Sequence, residues 1–226
     1  MTQTAWIARL KNMASESASL AQVPLGWDGS GEVVFSHRKN RQDRYCHTCS
    51  TGALRTTFLM DTVLTLAAAY EGGRARFMVL SPKREYAHLL TARGADVIVP
   101  YLQTESQFEK LKALVYAEVE ARKKNLHLPR LFILIDGWEK LSFLPKDNAF
   151  TYLRSVIADL SGGAEILTAI DFKGSIFEGF EGAFVGVGNS LISVDENGKA
   201  DVAYVGEDCQ LDTPVAITYQ THFEAK

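Results

Sequence analysis

Five apolar residues in a row, Leu131-Phe132-Ile133-Leu134-Ile135, followed at once by Asp136, constrain this chain more than any other stretch. So short an unbroken run marks a strand buried on both faces, the situation of a central strand in a parallel sheet. It is far too short to cross a bilayer. A strand covered on both sides needs helices to cover it, and the flanking sequence supplies them. Thr104 to Lys124 reads as a helix opened by a Thr104/Gln107 capping box. Phe108, Leu111, Val115 and Val119 form its apolar stripe, and Glu118/Arg122 and Glu120/Lys124 are its i,i+4 pairs.

The same pattern recurs along the chain. Thr56 to Tyr70 reads as a helix with Leu59, Val63 and Leu66 in register, stopped by Gly72-Gly73. Arg76 to Leu80 and Val97 to Val99 read as strands, and Val33 to Phe35 as a short one after the Gly26–Gly31 turn. Phe150, Leu153, Ile157 and Leu160 describe another helix, followed by a strand from Glu165 to Ile170. The texture then turns to β: Ala183–Val187, Leu191–Val194, an Asn197-Gly198 turn, Asp201–Val205 and Val215–Tyr219. Alternating strands and helices predict a doubly wound, mostly parallel α/β sheet flanked by helices, with a C-terminal antiparallel β extension. Residues 1–22 read as an N-terminal arm or amphipathic helix carrying Trp6, Leu10 and Met13, and residues 23–226 as a single domain.

Composition narrows the function classes. With 226 residues, 46% hydrophobic and 23% charged, the chain resembles an ordinary globular protein and excludes disorder and fibres. A formal net charge of −3 offers no global attraction for nucleic acid. Basic clusters at Arg38-Lys39, Arg41 and Arg44 and at Arg122-Lys123-Lys124 read as solvated surface. The N-terminus has no apolar signal core, so neither export nor membrane insertion is expected. Three cysteines, Cys46, Cys49 and Cys209, are too few for a disulfide framework. Cys46-His47-Thr48-Cys49 lacks the second pair of a closed zinc site, and its thiols are expected to be ordinary packing groups.

In a fold of this class, ligands meet the carboxyl ends of strands, where helix N-termini offer N–H groups. Two segments qualify. One is Thr51, Gly52, Ala53, Leu54, Arg55, Thr56 and Thr57, leading into a helix. Against the phosphate-cradling pattern GxxxxGKS/T, Cys49 and Leu54 stand at the glycines, Arg55 at the lysine, and only Thr56 fits. Leucine adds bulk where backbone must close on phosphate, and arginine is a wider fork than a lysine ammonium. The other segment is Asp136-Gly137-Trp138-Glu139. An acidic residue at the end of a buried strand suits the magnesium of a nucleotide, or else caps the following turn. Leu54 and Trp138 are apolar groups at the rim of such a pocket and candidates for binding protein, with ordinary packing the alternative for Trp138.

Beyond these segments the chain resembles the FtsK/SpoIIIE-type motor ATPases from about residue 23 to 172. Leu25 to Glu32 is similar to the family's LGxDxxGE, and Thr48 to Thr56 (TCSTGALRT) to its AGTTGSGKS. Arg76 to Lys83 (RFMVLSPK) resembles RFxxIDPK, with the Glu118, Glu120 and Arg122 helix end following. Ile133 to Leu141 (ILIDGWEKL) resembles the Walker B region VVIDEFADL, and Gly163 to Asp171 (GAEILTAID) resembles GIHLILATQ. The resemblance implies a P-loop NTPase-like, RecA-like core. It also locates the departures: Arg55 for the P-loop lysine, Gly137 for the glutamate after the Walker B aspartate, and Ile170-Asp171 for the later threonine-glutamine.

The shared direction of these losses implies a degenerate, non-catalytic domain, like the C-terminal ATPase-like domains of type VII secretion motors. On that resemblance its partners are neighbouring ATPase domains of the same motor and secreted protein substrates, with oligomerisation left open. The setting is cytoplasmic, anchored through the assembly to the cytoplasmic membrane, with no membrane contact of its own. No cofactor is expected, ATP and magnesium entering only if the altered pocket still binds. The alternatives are a DNA-translocation or conjugation accessory, and a domain that binds ATP through Arg55, Thr56 and Asp136 without hydrolysing it.

Overall fold

The computed structural model describes residues 2–16, 23–36, 46–99, 101–125, 128–137, 164–169, 190–206 and 211–219. The elements run α1 (Gln3–Glu16), β1 (Pro24–Trp27), β2 (Val33–Phe35), β3 (Cys46–Thr51), α2 (Arg55–Ala69), β4 (Ala75–Leu80) and α3 (Glu85–Ala92). They continue as β5 (Asp96–Val99), α4 (Glu105–Lys124), β6 (Arg130–Asp136), β7 (Ala164–Ala169), β8 (Ser190–Val194), β9 (Ala200–Tyr204) and β10 (Val215–Ile217). Eight strands form one sheet in the order β10-β9-β8-β3-β7-β6-β4-β5, with β1 and β2 as a separate antiparallel pair. β3 pairs with β8, and β4 with β5 and β6, in parallel, while β8/β9 and β9/β10 are antiparallel. The predicted parallel core with an antiparallel C-terminal extension is therefore present. The expected helix over 150–160 and strand over 183–187 lie outside the described residues.

Two compact units divide the chain. One combines the N-terminal elements through Glu71 with the chain from Leu167 onward. Its centre is α2, which is buried on every face from Phe58 to Ala69. That explains a helix without an amphipathic pattern. Thr62 and Thr65 donate their hydroxyls to the carbonyls of Phe58 and Asp61, four residues back, so the buried polar groups are satisfied within the helix. The predicted N-terminal helix belongs to this unit: Trp6 and Leu10 pack with Ala69, Tyr70 and Trp27, the two indoles 5.3 Å apart.

The other unit centres on Gly72–Ile166. β4 and β6 pair in register from Ala75↔Arg130 to Leu80↔Ile135, with Phe77 stacked on Phe132. The Thr104/Gln107 capping box opens α4 as its sequence demands. Arg122 is turned inward, bonding Glu118 at 3.3 Å and the Pro129 carbonyl at 2.7 Å, so it is no part of a solvated basic patch. Arg76, at the start of β4, bonds both Asp96 and Glu118. At the start of β6, Arg130 pairs with the buried Glu165 at 2.7 Å.

Candidate functional site

Each unit carries one of the two segments singled out above. In the first, β3 runs to Thr51 and α2 begins at Arg55, so only Gly52, Ala53 and Leu54 connect them. Cys49, Ser50 and Thr51 pair in parallel with Leu191, Ile192 and Ser193 of β8. Residues at the front of the phosphate-cradling pattern are thus sheet, not loop. Ser50 Oγ donates between the Arg55 carbonyl at 3.0 Å and the Thr168 carbonyl at 3.2 Å, closing the turn from beneath.

Gly52 makes this turn possible. Its φ is +90°, the left-handed region, and a Cβ there would stand 2.2 Å from the Val194 carbonyl oxygen. The Leu54 N–H reaches that same oxygen at 3.4 Å, and the Arg55 N–H reaches the Gly52 carbonyl at 3.4 Å. The Arg55 guanidinium also donates to the Gly52 carbonyl, at 2.9 Å. Leu54 occupies the N-cap of α2, where its side chain can accept nothing. Ala53 is exposed, while Leu54, Arg55, Thr56 and Thr57 are half-buried. A phosphate cradle needs several backbone N–H groups converging on one concavity. Here two of them point at protein carbonyls.

In the second unit, Asp136 ends β6 and is 3% exposed. Its Oδ2 accepts from Lys83 Nζ at 2.7 Å and from the Tyr86 hydroxyl at 2.8 Å. Lys83 lies just beyond β4, and Tyr86 lies in the first turn of α3 with its ring fully buried. Burial, then the Asp136 charge and hydrogen bond, hold the Tyr86 hydroxyl well above the ordinary tyrosine range. It is therefore a fixed donor. Gly137 follows at φ +67°. Trp138 and Glu139 lie outside the described residues.

Neither Lys83 nor Tyr86 was a candidate in the sequence, although Lys83 closes the RFMVLSPK match. A lysine and a tyrosine just past one buried strand, with an aspartate ending the strand beside it, was the available signal. Each segment, taken by itself, is engaged with protein groups. A cation at Asp136 would meet the Lys83 ammonium on the oxygen it needs, and the Gly52 turn is closed on β8. Among the described residues no group of three metal-ligating side chains occurs. Cys49 is a buried free thiol, pushed up in pKa by burial, as expected of a packing group. No helix among the described residues is long and apolar enough to cross a membrane.

The fold is a mixed α/β one, an eight-stranded, mostly parallel sheet flanked by helices, and it is shared with solved ATPase domains of EccC and EssC. The cytoplasmic domain of the Thermomonospora curvata type VII secretion ATPase EccC aligns with a TM-score of 0.62 at 13% identity, over 93% of this chain and 28% of that one. EccC ATPases 2 and 3 from the same organism, in complex with a signal sequence peptide, align at 0.56 and 13% identity, over 92% and 43%. EssC ATPases 2 and 3 from Geobacillus thermodenitrificans align at 0.56 and 10% identity, over 92% and 43%. The chain thus spans less than half the length of the structures it matches. No protein-family model matches it, and no curated protein does.

Proposed function

We propose that this chain is a non-catalytic FtsK/SpoIIIE-type ATPase domain that serves a type VII protein-secretion motor as a regulatory or substrate-recognition module. The observation that carries the non-catalytic half is the Gly52 turn. β3 stays paired with β8 through Thr51, and the Leu54 N–H lies on the Val194 carbonyl instead of facing a ligand. The replacement of the P-loop lysine by Arg55 and of the catalytic glutamate by Gly137 supports the same reading. The secretion half rests on the structural neighbours, one of which was solved with a signal sequence peptide. Neighbouring ATPase domains and secreted proteins are the partners this reading names, on the cytoplasmic side of the membrane.

Calorimetry with ATP and Mg²⁺ tests the first half: no heat and no turnover are expected. Magnesium-dependent hydrolysis abolished by Asp136→Ala would overturn it. Binding without turnover, lost in Arg55→Ala, would instead support a nucleotide-holding domain. Titration with a signal sequence peptide from a secreted protein of the same organism tests the second half, and absence of binding by both the chain and its parent motor would sink it.

A further inference from the structure

We infer that the tip of the β8–β9 hairpin and Tyr219 form a latch over the start of α2, with Leu54 as its seat, so that the Gly52 turn opens only when the C-terminal strands release it. The inference rests on the closed turn of the proposed function and names what keeps it closed.

Leu54 and Phe58 stand one helical turn apart at the start of α2, joined by the Phe58 N–H and the Leu54 carbonyl at 3.0 Å. Leu54 is half-buried and Phe58 is buried. The hairpin tip beside them is stiff. Asp195 Oδ1 accepts from the N–H groups of Asn197 and Lys199 at 2.8 and 2.9 Å, and Gly198, at φ +81°, donates its N–H to the Asp195 carbonyl at 3.2 Å. A Cβ built at Gly198 would meet Leu54 Cδ1 and the Tyr219 hydroxyl oxygen, each at 4.0 Å, so the tip lies beside both side chains. It continues the contact that Val194, the last residue of β8, makes with the Leu54 N–H. Tyr219 arrives from the other side of β9. Ile217 of β10 pairs with Ala200 at the start of β9, and Thr218 exchanges two 2.8 Å backbone bonds with Trp27. So held, the Tyr219 ring meets Phe58 edge-on, with centroids 4.9 Å apart at 75°, an arrangement favourable beyond the area it buries. A leucine standing where the phosphate-cradling pattern has glycine is thereby a docking group for the chain's own C-terminal strands. Those strands lie beyond the stretch that resembles the motor family.

Hydrogen exchange of single amides in the full chain, followed by NMR, tests the latch in both directions. Tyr219→Ala should speed exchange of the Leu54 N–H by about tenfold or more beyond any change at Val63–Leu66 inside α2. Tyr219→Phe keeps the ring and should stay within about threefold of the wild type. Leu54→Ala removes no cap, since the leucine side chain accepts nothing. It should speed exchange of the Gly198 N–H, because coupling between packed groups is mutual. The inference is overturned by Leu54 rates that only follow those of Val63–Leu66 in Tyr219→Ala, by an equal effect of Tyr219→Phe, or by an unchanged Gly198 N–H in Leu54→Ala. Should Tyr219→Ala not fold, the Tyr219→Phe and Leu54→Ala arms still decide. ATP turnover by the wild type would sink the proposed function whatever the exchange rates give, so the two failures are distinct.

Discussion

Gly52→Ala tests whether the turn ahead of α2 is clamped to β8. Two costs add. An L-residue held at φ +90° costs about 1–2 kcal/mol of backbone strain. The new Cβ would sit 2.2 Å from the Val194 carbonyl oxygen, so the strand or the turn must move. Movement lengthens an already long Leu54 N–H bond to that oxygen, worth about 0.5–1.5 kcal/mol. The total expected loss is about 1.5–3.5 kcal/mol. Gly72→Ala is the control: φ is +80° there, but nothing lies within 4 Å of the added Cβ. Only the backbone strain applies, at about 1–2 kcal/mol. Urea denaturation resolves the two, because the unfolding slope for a small protein is about 1–3 kcal/mol/M and this chain belongs at the upper end. The Gly52 variant should therefore lose about 1 M in midpoint, clearly more than the control. Equal midpoints would mean that the turn is not clamped, that it can open as a phosphate cradle does, and that the proposed function has lost its main support.

Tyr86→Phe should cost about 1–2 kcal/mol by removing one donor from a buried carboxylate, read as a lower urea midpoint at pH 7. The Tyr86 hydroxyl is held above its unfolded value, so its contribution is intact below about pH 10 and is lost as pH rises through the folded value. The variant should therefore lose this part of the alkaline destabilisation. Glu165, buried beside Arg130, has its carboxyl pKa raised mainly by burial, with Arg130 opposing. Its stabilising effect is fully present below the unfolded glutamate value, about 4.3, and is lost as pH rises through the folded one. Glu165→Gln should therefore gain stability relative to wild type between pH 4 and 7, and a difference independent of pH would refute this. Thr104→Ala removes the capping box of α4 and should cost about 1 kcal/mol, measured as a lower thermal midpoint and rescued by Ser.

The parts of the fold that were legible are those whose side chains state their surroundings. The Leu131–Ile135 run can only be a strand covered on both faces, and Thr104 with Gln107 can cap only a helix start. β3 was hidden for the opposite reason. Cys46-His47-Thr48-Cys49-Ser50-Thr51 has no apolar alternation, yet Thr48, Cys49 and Ser50 are buried in the sheet. Their polar groups are satisfied by Ser190, Thr168 and Arg55, partners distant in the chain or past the turn. For the same reason Asp136 could be singled out while its two donors could not. Which side chains meet a strand-end carboxylate depends on strand order, and pairing β4 with β6 is a tertiary fact.

The parallel pairing of β3 with β8 joins Thr48 to Ser190, 142 positions away. On a ribosome adding about 5–20 residues per second, β3 would emerge about 7–30 s before that partner. The β4–β6 pair closes over a much shorter span and can form meanwhile. During the wait an unpaired strand is a template for misassociation with other nascent chains. A strand of threonine, serine and cysteine is a poor such template, because it offers little apolar surface until its partners arrive. The polarity that concealed β3 from a reading of periodicity is thus what would keep the newborn chain soluble.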